Sequence, residues 1–509
     1  MGLQKLLVAN RGEIAIRIMR AAGDLGIPTV AIFPVDDAAS LHTHTATETH
    51  QLNGRGASAY LDIDQLVAAA RSLGCDSVHP GYGFLAENAD FATACEAAGL
   101  RFVGPTPQTL ALFGNKIAAR QLAQRLGVAV LAGTDGPTNV EAARAFFAGL
   151  GPGAAVMVKA LAGGGGRGMA PVHHLDELAE AMARCASEAA GAFGNAELYL
   201  EQLLPAARHI EVQLIGDGQG GLAQVGDREC SLQRQRQKLV EIAPAPALAE
   251  GIRARILQAA LRLGAEVGYR SLGTAEFLVE TGGSRPDADV TVAFIELNAR
   301  VQVEHTVTEE VSGIDLVTAQ LQLAGGATLA ELGLQQHQIP APRGFAVQAR
   351  VNLETMQADA TARPAGGVLV RYEPPSGPGI RTDGYGYAGY ATSPSYDSLV
   401  AKVIGHGPSL AVALRRTDRA LAEFRVEGAA TNIAFLRAVL ARDDVASGTV
   451  HTRYVEEHLD LLLAAAAQGH DPALPAQPST HPAAAPPRNT EPAMAGVRAA
   501  GRDPLAVLA

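Results

Sequence analysis

Residues 6–34 read LLVANRGEIAIRIMRAAGDLGIPTVAIFP. A short apolar run, a helical repeat and a second apolar run follow one another with only turn residues between them, which is the order of a β-α-β unit. Within the middle stretch Ile14, Ile18, Ala21, Ala22 and Leu25 recur on one helical face, as a crossover helix covering a sheet requires. Outward from this unit, residues 64–72 are predicted to be helical, and SVHP and RFVGP read as further strands. Strands alternating with helices specify an α/β fold, with a parallel doubly wound sheet over residues 1–114.

From Lys116 the chain runs through a helix into AAVMVKALAGGGGRGMAPV, where two strand-like runs flank a glycine cluster, then through an alanine-rich helix to LYLEQLL. This predicts a small α+β lid over about 131–203, inside a segment of 115–330 that carries the polar motifs. A mixed α+β segment follows over 343–459 and ends in HTRYVEEHL. Past residue 461, runs such as ALPAQPSTHPAAAPPR lack periodic apolar residues, so residues 462–509 read as a flexible linker or tail. No repeat of solenoid length is present.

The 509 residues suit about three domains. Apolar residues make up 48%, yet no apolar run nears the ~20 residues that span a bilayer, and no charged-then-apolar leader precedes the first strand. The expectation is a cytoplasmic protein with no membrane role. Cys75, Cys95, Cys185 and Cys230 lie far apart and form no CxxC pair, which argues against disulfides and structural zinc. A net charge of -11 and the absence of Trp argue against nucleic acid as a partner.

Gly163–Gly168, with Arg167 inside it and Lys159 just before it, suits a hairpin whose backbone N–H groups close over phosphate. The loop lacks the GK[ST] ending of a strand-loop-helix phosphate site, and a mobile glycine hairpin without a ligand fits the same residues. The run FIELNARVQVE, 294–304, is read as one strand. Its alternation places Glu296, Asn298, Arg300, Gln302 and Glu304 on one face, and Leu297, Ala299, Val301 and Val303 on the other. GTAEFLVE places Glu276 on a preceding strand, and the turn-rich TGGSRPDAD lets the two pair as a hairpin. Two carboxylates and an amide oxygen suit a hard cation such as Mg2+. A half-buried strand with a solvated polar face is the plainer meaning of such alternation. DRECSLQRQRQKLVE, 227–241, suits a site gripping anions at several points, or a charged surface loop. His209 by itself reads as a core histidine, and Cys230 as an inert thiol.

These motifs, with HPGYGFLAENA, FVGPTP, GNK, RHIEVQLIGD, KLVEIAPAP, HTVTEEVSGIDL, ARVN and SYDSLVAKV, occur in an order that resembles the biotin carboxylase family of the ATP-grasp superfamily over about the first 460 residues. The resemblance implies an ATP-grasp fold and a ligase that carboxylates biotin on a carrier protein, using bicarbonate and MgATP, with Mg2+ or Mn2+ as the cation, as the first half-reaction of a biotin-dependent acyl-CoA carboxylase. It implies ATP contacts at Lys116, Lys159, Gly164, Gly165, Gly166, Met169, Glu201, Leu204, His209 and Gln233, with residues 201–204 as the hinge that holds adenine. It implies metal ligands at Glu276, Glu296 and Asn298, and a bicarbonate site of Lys238, Arg300, Gln302, the Val303 backbone and Glu304, where Glu304 is the base. Tyr82 and Arg350 correspond to its biotin pocket. Implied partners are a biotin carboxyl carrier, a carboxyltransferase and a second copy of the chain, with the biotin not attached here.

The family's MNPR is LNAR here, its His before QK is Arg236, its INAED is VNLET, and an insertion near 281–289 lengthens the hairpin. Arg236 bears on a contact near the nucleotide. The pattern resembles the carboxylase domains of large multidomain carboxylases more than a free-standing subunit. A carbamoyl-phosphate synthase half would share the lysines, glycine loop and Glu/Asn set but not Tyr82, Arg350 and ARVQVEH. A non-catalytic ATP module would lack the base or a metal ligand, and neither is missing.

Overall fold

The computed structural model describes residues 2–161, 168–204, 206–281 and 286–468. Gly164, Gly165 and Gly166 and the tail from 469 onward lie outside the described residues.

Strands β1 (Leu6–Val8) and β2 (Thr29–Phe33) flank helix α1 (Gly12–Asp24). With β3 (Glu48–Gln51), β4 (Ser77–His79) and β5 (Arg101–Phe102) they form an all-parallel sheet ordered β3-β2-β1-β4-β5. Leu6, Leu7 and Val8 are fully buried, as strands covered on both faces must be. Helices α2 (Ile63–Ser72), α3 (Ala89–Ala97) and α4 (Pro107–Gly114) complete this layer. The edge strand β3 escapes sequence reading because ETHQ is polar and largely exposed. On α1 Ile14, Ile18, Ala21 and Ala22 of the predicted face are buried, and so are Glu13, Ile16, Arg17 and Met19, because the helix also meets strands from the far end of the chain; Leu25 follows the helix and is half-buried.

Helix α5 (Lys116–Arg125) starts where the Asn115 side chain accepts the Ile117 and Ala118 amides, a side-chain cap that fixes Lys116 at the first helical position. The lid comprises α6 (Val140–Gly149), β6 (Val156–Ala160), β7 (Met169–Val172), α7 (Leu178–Phe193) and β8 (Leu198–Gln202). Its three-stranded sheet, β7-β6-β8, packs Val156 and Val158 with Ala143, Phe147 and Leu178 of the two helices.

Strands β9 (Ala207–Asp217), β10 (Leu222–Arg234), β11 (Gln237–Ala243), β12 (Arg270–Glu280) and β13 (Val292–Asn298) build the central sheet, backed by α8 (Glu250–Glu266). Helices α9 (His305–Ser312) and α10 (Leu316–Ala324) lead to β14 (Phe345–Asn352). Two small pairs, β15 (Glu354–Met356) with β16 (Ala362–Pro364) and β17 (Arg371–Glu373) with a strand over Arg425–Glu427, lie outside the main sheet. Then β18 (Ile380–Gly384) and β19 (Leu399–Gly407) rejoin it. The eight strands run β13-β12-β9-β10-β11-β14-β19-β18, so one sheet continues from the 115–330 segment into the 343–459 segment.

Three sequence readings are corrected here. The run 294–304 is not one strand. Pairing ends at Asn298, and Glu304 stands at the N-cap position of α9 without a side-chain capping bond, because Arg300 donates to the Val301 carbonyl and His305 Nδ1 lies 2.6 Å from the Gln302 carbonyl, which closes a turn. Residues 227–241 are not a surface loop but a buried hairpin of β10 and β11, with Gln235 and Arg236 both at positive φ in its tight turn. The chain does not become a linker at 462, since Leu459–Gln468 is a helix and Leu462 is fully buried. All four cysteines are free and buried. Among the described residues, no helix is long and apolar enough to cross a membrane.

Candidate active site

Cross-strand register builds the site. Glu276 on β12 lies opposite Glu296 on β13 and opposite Glu211 on β9, so three carboxylates stand in a row on one face. Like charges directly opposite one another destabilise a sheet, and cations from neighbouring strands offset them. Lys238 on β11 places its Nζ 2.6 Å from Glu211, 3.0 Å from Glu276 and 2.6 Å from Glu304. Arg228 on β10, fully buried, adds an Nε bond of 2.5 Å to Glu211 and donates to Gln213, Thr274 and Thr308.

Glu304 is fully buried and also meets Arg350 at 3.1 Å. Burial alone would raise its pKa, but Lys238, Arg350 and Arg228 outweigh it and hold the carboxyl well below the usual 4.5. Lys238 is pushed well above its usual value because Glu211, Glu276 and Glu304 overcome the burial that would lower it. Arg350 is fixed by Glu241 at 2.5 Å, and Glu241 in turn accepts from Gln348 at 3.0 Å. Tyr82 donates to Glu13 at 2.5 Å, and Tyr82 and Arg350 are near enough to perturb each other's ionisation.

At the predicted metal ligands, Asn298 Nδ2 donates to Glu276 at 2.9 Å and to Glu296 at 3.4 Å, while its Oδ1 accepts from Arg300 at 3.2 Å. Gln302 also donates to Glu276, at 3.1 Å. Donors thus converge on the carboxylates where a divalent cation would stand. Two carboxylates and an amide fit Mg2+ or Mn2+, provided that Asn298 turns its oxygen inward. His209/Glu211/Glu276 and Glu211/Cys230/Glu304 also bring ligand atoms within 4.8 Å of one another. There Lys238 already supplies the positive charge, and burial followed by the nearby carboxylates keeps the Cys230 thiol protonated.

Towards the lid, Lys159 on β6 pairs with Glu201, which Arg120 also holds at 2.8 Å. The Glu201 side chain therefore orients a lysine, and only its backbone remains for the predicted hinge role. Leu204 follows β8 and is half-buried. Burial and then Lys159 lower the pKa of Lys116, against Glu296, Glu201 and Glu87. His209 is no plain core residue. Its Nδ1 lies 2.7 Å from Gln233 Nε2 and its Nε2 lies 2.9 Å from Glu276, whose charge overcomes burial and raises the imidazole pKa. Arg236 reaches the Met169 carbonyl and the Met157 sulfur of the lid, each at 3.3 Å. Arg300 pairs with Glu87 at 3.0 Å, and Val303 presents its carbonyl to Lys402.

Sequence reasoning missed Glu211, Glu241, Arg228, Arg120 and Glu87. The readable signal for the first two is a Glu flanked on both sides by β-branched apolar residues, Ile210-Glu211-Val212 and Val240-Glu241-Ile242, because glutamate is almost never fully buried unless paired.

A lid over a sheet that carries buried lysines and paired acids is the arrangement of an ATP-grasp ligase. Family models match the chain as "Biotin carboxylase, N-terminal domain" over 2–110, "Carbamoyl-phosphate synthase L chain, ATP binding domain" over 115–332, and "Biotin carboxylase C-terminal domain" over 348–457. Pyruvate carboxylase of Aspergillus niger is 45% identical over 467 residues, 91% of this chain and 38% of that protein. Mitochondrial pyruvate carboxylase of Homo sapiens is 45% identical over 464 residues, 90% of this chain and 38% of that one. The biotin carboxylase domain dimer of Hydrogenobacter thermophilus 2-oxoglutarate carboxylase, solved with MgADP, ADP and bicarbonate, superposes with a TM-score of 0.86 at 38% identity, covering 91% of this chain and 99% of that one. Biotin carboxylase of Campylobacter jejuni gives a TM-score of 0.83 at 34% identity, covering 90% and 99%. The chain belongs to the biotin carboxylase family, whose reaction is ATP-dependent carboxylation of biotin. It spans 38% of the length of the curated pyruvate carboxylases it matches.

Proposed function

We propose that this chain performs the first half-reaction of a biotin-dependent carboxylase, with Glu304 as base, and hands carboxylated biotin to a carboxyltransferase on a carrier. The observation that carries this reading is Lys238, one ammonium within 3.0 Å of both Glu304 and Glu276. It joins a base to the predicted cation site at a point where an anion must sit between them.

Bicarbonate enters as an anion and competes for Lys238 and Arg300, which frees Glu304 from part of the charge that depresses its basicity. Glu304 takes the bicarbonate proton, the freed oxygen attacks the γ-phosphorus, and the bond to the β-phosphate oxygen breaks to release ADP. A divalent cation at Glu276, Glu296 and Asn298 supplies charge neutralisation for the phosphates. Lys116, Lys159, His209 and Gln233 hold ATP from the lid and sheet sides, with the backbone of 201–204 at the base. Carboxyphosphate then parts into CO2 and phosphate, the phosphate accepts the N1 proton of biotin, and N1 attacks CO2. Arg350 stabilises the enolate oxygen of the ureido group, and Tyr82 lines the same pocket.

The proposal extends to a homodimer, a biotinylated carrier and a carboxyltransferase as partners, and to a cytoplasmic setting, although some relatives are named mitochondrial. The test is ATP hydrolysis by the purified chain with Mg2+. Rates that need bicarbonate and rise with free biotin are expected, whereas equal hydrolysis after rigorous removal of bicarbonate would refute the assignment of the base.

A further inference from the structure

Lys402 on β19 is fully buried, and the half-reaction above gives it no part. It lies directly opposite Arg350 of β14 on one side and Asp383 of β18 on the other. Two cations side by side in a buried sheet are held only if each has its own anions. Arg350 has Glu241 and Glu304. Lys402 has Glu13 of α1 at 3.0 Å and Asp383 at 3.8 Å, and its Nζ donates to the Val303 carbonyl at 3.1 Å.

That carbonyl belongs to the turn between the end of β13 and α9, immediately before Glu304. The turn has no ladder pairing of its own, so its position depends on such side-chain bonds. Glu13 meanwhile accepts from Tyr82 at 2.5 Å with its other oxygen. A chain of contacts therefore runs from Tyr82 through Glu13, Lys402 and the Val303–Glu304 turn to Arg350, and its two ends are the residues proposed for the biotin pocket.

We propose that Lys402 is a positioning residue that pins the Val303–Glu304 turn and, through Glu13, ties it to Tyr82, so that occupancy of the biotin pocket is felt at the base. This rests on the function proposed above. Asp383 is kept ionised by Lys402 and Arg381 against burial, and Arg381 also meets Glu309 of α9 at 2.7 Å, so the far side of the turn is anchored by the same network.

The experiment compares the full chain with Lys402→Met, Lys402→Arg and the double variant Lys402→Met/Glu13→Gln. The double variant removes cation and anion together and leaves no unpaired buried carboxylate, so it should keep its melting temperature even where Lys402→Met alone unfolds. Expected for the folded double variant is a loss of roughly 10- to 100-fold in kcat/KM for bicarbonate, an unchanged KM for ATP, and loss of stimulation by free biotin, with Lys402→Arg recovering part of each. A folded double variant with wild-type bicarbonate kinetics and wild-type biotin stimulation overturns the proposal. So does a parallel fall in every constant, ATP affinity included, that Lys402→Arg does not rescue, since this marks a purely structural role. Failure of the wild-type chain to require bicarbonate would overturn the underlying function instead.

Discussion

Glu304→Gln separates chemistry from folding in a single substitution. The carboxylate it removes is fully buried between Lys238 at 2.6 Å and Arg350 at 3.1 Å. Removing one partner of a buried ion pair costs about 3–5 kcal/mol when the other charge is left alone. Neither is left alone here, because Lys238 keeps Glu211 and Glu276 while Arg350 keeps Glu241. The stability loss should therefore shrink to about 1–3 kcal/mol, the worth of a hydrogen bond to a charged group. The amide keeps the shape but cannot accept a proton, so bicarbonate-dependent ATP cleavage should fall about 100- to 10,000-fold, or about 2.7–5.4 kcal/mol of barrier. ADP release with and without bicarbonate, nucleotide binding and urea unfolding together measure this. Cleavage within tenfold of wild type in a folded variant would refute Glu304 as base, and outright unfolding would refute the argument that its neighbours share their anions.

Arg350→Ala should spare bicarbonate-dependent ATP cleavage and slow carboxyl transfer to biotin by about 100- to 1,000-fold, read by separate assays of the two partial reactions. Glu241→Gln, which leaves Arg350 only Glu304 as an anionic partner, should lower biotin carboxylation more than ATP binding. Both Glu304 and Asp383 have folded-state pKa values below their unfolded ones, so their contribution to stability is full above the unfolded pKa, declines below it and is lost as pH falls through the folded pKa. Urea midpoints should drop on going from pH 6 to pH 3, and midpoints constant over that range would contradict the depressed values. Removing residues 469–509, and not the buried Leu462, should leave activity on free biotin unchanged and weaken carboxylation of the cognate carrier, if the tail tethers that carrier.

Alternation made Glu296 and Asn298 legible, because Phe294–Asn298 really is a strand, and turn chemistry made its partner Glu276 legible. The same alternation carried Arg300, Gln302 and Glu304 onto one imagined face. They reach the site by a turn and a helix start instead, which a period of two does not encode. Glu211, Glu241 and Lys402 were passed over for a different reason. They sit in central strands buried on both faces, where burial of a charge depends on a counter-charge far away in sequence. Arg17 and Glu13 on α1 gave no sign of their role because their partners Glu309 and Lys402 arrive from α9 and β19.

The sheet that runs unbroken from β13 to β18 also sets the order in which the polypeptide can mature on the ribosome. Until β14 emerges, β11 is an open edge with unpaired amides and carbonyls, and Glu241 is a charge awaiting Arg350. At about 5–20 residues per second, that exposure lasts on the order of ten seconds. Edges of this kind recruit foreign strands. A nascent chain stalled between β11 and β14 should therefore be the species most prone to aggregate and most in need of a holdase, even though its cation-site acids and its base have already been synthesised.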